Sequence, residues 1–220
     1  MKKVESLFFY LGSAMLISEF IKQLLLTFMV GDGRYDWWYF PFQLCSVPMY
    51  LLPLYRHLKS TLARRVLLVF FMTYSLLGGV AVFFDTSGMH YPLAILTIHS
   101  YLWHLLLIAV GIISGVMLLR NTRLSIRLFF YASLLYGVCC LAATFLNWII
   151  SFFGSINMFY INPVFRMNQV FFRRITDQFG NSAGIASYLA GTVLGASVLY
   201  LLWYLIQRLC PMIFASWSET

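Results

Sequence analysis

LTIHSYLWHLLLIAVGIISGVMLL, residues 96–119, contains no Asp, Glu, Lys or Arg. A hydrocarbon core of about 30 Å needs roughly 20 consecutive apolar residues in a helix, and this stretch supplies them. Five more segments qualify on either side of it: about 6–30, 37–55, 65–84, 126–150 and 184–208. Composition agrees, with 61% apolar and 10% charged residues in a chain of 220 and a mean hydropathy of +0.82. Soluble domains sit near about 45–50% apolar and about 25% charged, so lipid must solvate much of this chain. The predicted fold is therefore all-α: a polytopic membrane bundle of about six transmembrane helices, forming a single transmembrane domain over residues 1–220.

The charge of +8 does not indicate nucleic acid, because the basic residues cap apolar runs rather than forming a polar basic surface. An inside N-terminus places Lys2, Lys3, Arg56, Lys59, Arg64, Arg65, Arg120, Arg123, Arg127 and Arg208 on the cytoplasmic side. Only Arg34, Arg166, Arg173 and Arg174 fall outside. That asymmetry obeys the positive-inside rule and predicts a multi-pass protein of the cell membrane with both termini cytoplasmic. The first apolar stretch is too long for a signal peptide and carries Glu19 and Lys22, so it reads as a retained helix. Residues 151–183 make a long outer loop. Within it, the stretch from Pro163 to Phe179 suits either an interfacial segment, with Phe171, Phe172 and Ile175 in lipid, or a lid.

Ionisable groups inside membrane helices are expensive and are usually functional or paired. Here they gather at one level. Glu19, Lys22 and Gln23 share a face of the first helix, and Gln43, Cys45 and Ser46 sit at matching depth in the second. His99 and Ser100 open the fourth, and Asn147 closes the fifth. This predicts a polar cavity in the outer half of the bundle; the alternative is that Glu19 and Lys22 only pair with each other. Gly111 and Gly115, like Gly191 and Gly195, have the spacing of close helix packing.

Pro41, Pro48 and Pro53 each remove a backbone donor from the second helix, which should be kinked or unwound near Cys45. Broken backbone at membrane depth is tolerated where it lines a cavity or is buried in protein. Cys45 is then either a small apolar filler or a nucleophile. A nucleophilic thiol needs a base, and His99 is the imidazole at the right depth, while His104 points about 140° away around the helix. Cys45, Cys139, Cys140 and Cys210 have neither disulfide-framework nor metal-ligand spacing. No phosphate loop, haem motif or other cofactor signature occurs.

The run from Phe40 to Pro53 (FPFQLCSVPMYLLP) resembles the leucine-proline-leucine…cysteine signature of YwaF-like integral membrane proteins, with Phe40 and Phe42 standing for leucines. His99 in Leu96–Ser100 and the segment Asn157–Pro163 fit the same pattern. The family is related to animal transmembrane acyltransferases that act on ether phospholipids. The resemblance implies Cys45 as the nucleophile that carries an acyl group, His99 as its general base, and Asn157 as a structural or substrate-orienting group. Gln43, Glu19 and Lys22 are the other candidate substrate-binding residues, read from their shared depth. Three functions follow as expectations: a lipid acyltransferase or lipid-modifying enzyme, with membrane lipids as partners; a small-solute transporter or its membrane-embedded binding subunit; and a non-catalytic partner in a membrane complex.

Overall fold

A computed structural model describes residues 2–209; Cys210 lies outside the described residues. Among these, the secondary structure is entirely helical. Helix α1 (Lys2–Leu25) ends in one wide turn, Leu26–Val30, and α2 is short (Val47–Tyr55). Helix α3 (Thr61–Phe70) passes through a wide turn at Phe71–Ser75 into α4 (Leu76–Ala81). Helices α5 (Ala94–Asn121), α6 (Ile126–Ile150), α7 (Arg173–Phe179) and α8 (Asn181–Leu209) complete the chain. Five spans are long and apolar enough to cross a bilayer: 3–30, 61–84, 94–121, 126–150 and 181–209. The molecule is thus a helical bundle of the multi-pass membrane type.

The second expected span is not a continuous helix. Of residues 37–55, only Val47–Tyr55 form an α-helix, preceded by a tight turn at Trp37–Tyr39 and an irregular stretch from Phe40 to Ser46. Nine helical residues rise about 14 Å at 1.5 Å each, roughly half a bilayer. The prolines explain where the helix starts. Pro48 lies in the first turn, where a missing N–H loses no bond, whereas Pro41 could not continue the helix backward.

Thr61–Phe84 is the central span, with 61% of its apolar window buried, against 17% for each of the first and last spans. It packs on α5, α6 and α8, while α1 leans mainly on α2. The glycines set the close approaches. A methyl group on Gly12 would lie 2.5 Å from Pro53 of α2, and one on Gly111 2.7 Å from Leu76 of α4. Gly115 receives the Trp203 indole, Gly195 the Leu77 side chain and Gly191 the Phe172 ring. Both glycine pairs therefore serve contacts within the chain. Phe172, expected in lipid, is instead turned onto α8, whereas Phe171 stays exposed.

Gly111→Ala should lower the thermal midpoint in detergent, because overpacking against backbone and Leu76 costs about 1–3 kcal/mol. Gly137→Ala meets open space and should leave the midpoint unchanged. Equal behaviour of the two variants would refute the close-packing account.

Candidate functional site

The five connections between the successive spans and α2 alternate between two ends of the bundle. Arg56, Arg64, Arg123 and Arg208 mark a basic end, and the irregular segments 31–46, 85–93 and 151–172 meet at the other. The candidate site lies toward that second end, where the unwound stretch before α2 is pressed between α1 and α5. Trp103 of α5 donates its indole N–H to the Cys45 carbonyl at 3.0 Å. The Tyr50 hydroxyl donates to the Pro41 carbonyl at 2.9 Å. Gln23 of α1 donates to the Tyr39 carbonyl at 2.9 Å and to Glu19 Oε1 at 2.6 Å. Backbone that has lost its helical partners thus finds side chains at membrane depth, as a low-dielectric setting demands.

Glu19 is 4% exposed, and its Oε1 lies 2.8 Å from Lys22 Nζ. Lys22 also sits over the Tyr91 ring, 5.9 Å from its centroid. This pair is held one turn apart on α1, so neither charge is buried alone; an uncompensated one would cost several kcal/mol, about 3–5. Cys45, Tyr91, Tyr160 and Tyr188 are each half-buried, and the Tyr160 and Tyr188 rings meet edge-on with centroids 6.0 Å apart. Tyr91 in turn lies under the Lys22 ammonium of the charged pair.

The expected site residues divide into two groups. Glu19, Lys22 and Cys45 come together. His99 comes near them but is not bonded to the thiol: its Nε2 is 3.3 Å from Ser18 Oγ on α1, and its ring lies 5.5 Å from that of Trp103. Trp103 therefore links the two by packing against one and holding the carbonyl of the other. His104 points away, its Nδ1 2.7 Å from the Ser100 carbonyl.

Gln43 and Asn157 spend their polar atoms on backbone rather than at a mouth. Gln43 donates to the Asn157 carbonyl at 2.9 Å and accepts from the Phe159 N–H at 2.7 Å. Asn157 Oδ1 accepts from the Asn162 N–H at 3.0 Å. Asn147 completes the clamp, accepting from Met158 N–H at 2.6 Å and donating to its carbonyl at 3.1 Å. The clamp has a clear purpose. Phe159 and Tyr160 both adopt positive φ, 55° and 56°, which costs a non-glycine residue about 1–3 kcal/mol and persists only when surroundings over-determine it. Holding that turn is what brings Tyr160 edge-on against Tyr188 of α8.

Tyr91, Trp103, Tyr160 and Tyr188 were not singled out by the sequence. Trp103 had a usable signal, one turn after His99 on the same face, but the tyrosines arrive from three separate segments and carry none. No three His, Cys, Asp or Glu side chains converge as a metal site among the described residues. No family model, curated protein or solved structure matches this chain.

Asn147→Leu leaves two buried backbone groups of Met158 unpaired, at about 1–3 kcal/mol each. Amide exchange over residues 156–162 should accelerate and the thermal midpoint fall. Asn121→Leu, which removes only an exposed bond to the Met117 carbonyl, should change neither. Unaltered exchange in the Asn147 variant would mean that the loop is held by something else.

Proposed function

We propose that this membrane protein takes up a lipid-like amphiphile beside Cys45, with the polar group at Lys22 and Glu19 and the chain among the neighbouring aromatic side chains. The observation that carries this reading is a half-buried cysteine inside the bundle, on a stretch of backbone that is unwound between α1 and α2. The Lys22 ammonium has three donors, and the bond to Glu19 occupies one, leaving others for a phosphate or carbonyl oxygen. The distribution of arginine and lysine favours an N-terminus in the cytoplasm, so the site would face the outer half of the cell membrane.

The likeness of residues 40–53 to YwaF-like proteins extends the proposal to acyl transfer. The Cys45 sulfur would attack a lipid ester carbonyl, the ester C–O bond would break, and the thiol proton would pass to the departing alcohol. An acceptor hydroxyl would then attack the thioester, returning a proton to sulfur and carrying the acyl group away. His99 could serve as the proton carrier only after its imidazole leaves Ser18. A thiolate stage would need a neighbouring cation, and Lys22 is the candidate on α1.

Native mass spectrometry of the purified chain with added phospholipid tests the binding step. Wild type should retain lipid, and the paired variant Glu19→Gln/Lys22→Gln, which keeps net charge, should bind about tenfold more weakly, the worth of one charged hydrogen bond. Cys45→Ala should bind as wild type does. Intact-protein mass spectrometry tests the chemical step: wild type should gain an acyl mass that hydroxylamine removes, and Cys45→Ala should not. Binding without any such adduct would end the acyl-transfer reading. A polar solute in place of lipid would favour a solute-binding subunit and overturn both.

A further inference from the structure

A second site lies at the opposite, basic end of the bundle. The first turns of α6 and the second half of α8 enclose a groove of about 500 Å³, with Leu124, Phe129, Tyr200, Leu201 and Tyr204 on its walls. Its polar atoms are already satisfied within the protein. Tyr200 donates to the Ser125 carbonyl at 2.8 Å, and Ser197 donates to the Val193 carbonyl at 2.8 Å. An occupant can therefore offer it only apolar contact, and the neighbouring Ile126 and Leu201 remain 77% and 54% exposed.

The surroundings of the groove are strongly cationic. Arg123 and Arg127 flank its lining residues Leu124–Ile126 in the chain. The Arg208 guanidinium sits 5.3 Å from the centroid of the Tyr204 ring and donates to its hydroxyl at 3.1 Å. All three arginines are exposed. Among the described residues the only carboxylate at this end is Glu5, and Arg64 occupies it. Among the described residues no anion is paired with these three cations. An acyl-sized apolar groove bordered by exposed guanidiniums is complementary to an anionic phospholipid, whose phosphate can accept forked hydrogen bonds from arginine.

We infer that this groove holds one acyl chain of an anionic phospholipid, with its phosphate at Arg123, Arg127 and Arg208. The groove is separate from the Cys45 site, so its occupancy is independent of the proposed activity. The lipid acts as a permanent counter-ion that ties the α5–α6 turn to the end of α8.

The experiment is native mass spectrometry of the full chain, released from detergent with equal amounts of phosphatidylglycerol and phosphatidylcholine of matched acyl chains. The arginine and Ser197 variants are compared within the Glu19→Gln/Lys22→Gln background, which weakens lipid binding at the Cys45 site. Phosphatidylglycerol should be retained preferentially. Each of Arg123→Gln, Arg127→Gln and Arg208→Gln should reduce that preference about fivefold, since one arginine at the surface is worth about 1 kcal/mol toward anionic lipid. Ser197→Phe, which fills the groove, should reduce retention of both lipids together. Free glycerol 3-phosphate should not displace the lipid, because it lacks the chain. Equal retention of the two lipids by wild type, or an undiminished preference in the triple arginine variant, would overturn the assignment. So would a dimer that forms through the groove and is lost in Ser197→Phe.

Discussion

Backbone N–H and C=O groups that leave a helix at membrane depth must find partners inside the protein, because lipid offers none. Most of this architecture follows from that one demand. The chain breaks regular structure at three deep places: before α2, at the wide turn between α3 and α4, and at the turn around Phe159. At each, a polar side chain from a distant segment arrives to take the stranded group. Trp103 takes the Cys45 carbonyl and Trp203 takes the Met72 carbonyl at 3.1 Å. Gln43 and Asn147 divide the Phe159 turn between them. At the basic end Gln207 does the same for the α5–α6 turn, bonding the Thr122 carbonyl and the Leu124 N–H.

These repairs also explain why polar groups that look alike in sequence behave differently. An amide in an apolar helix can hold a ligand or hold the backbone. Gln43, Asn147, Asn157 and Gln207 hold backbone, and they fix the irregular segments in one arrangement. Glu19 shares in this work through Gln23, whose amide it holds against the Tyr39 carbonyl, while among the described residues Lys22 makes no bond to those segments beyond its contact with the Tyr91 ring.

The spans were legible because lipid imposes a long, simple signal: about 20 apolar residues, bounded by charges, and each of the five long helices shows it. The break in the second was legible in kind, since three prolines cannot sit in one continuous helix. Its extent was not, because the boundary at Val47 depends on Trp103 and Tyr50 capturing the carbonyls upstream, and neither partner is marked by spacing. That Glu19, Lys22 and Cys45 share one level could be read from depth. The placement of Gln43 and Asn157 against backbone could not, because depth fixes how far along the membrane a side chain lies and says nothing about its azimuth. Tyr160 was hidden for a further reason: its position depends on a left-handed turn that no local propensity favours.

The half-length α2 has a consequence for the order in which the protein is made. A ribosome delivers α1 and α2 first, but the indole that completes the unwound stretch lies 58 residues later, and the backbone completing the Gln43 clamp 116 residues later. Until those segments emerge, the stretch from Phe40 to Ser46 has no side-chain partners except those on α1 and α2 themselves. The Tyr50 bond to the Pro41 carbonyl is the one already in place, with the Gln23 bond to Tyr39 just upstream. The nascent chain must therefore shelter an unfinished segment at the edge of the bilayer or inside the insertion machinery. Closure of the bundle by α5 and the Phe159 turn is then the event that commits the second span to the membrane.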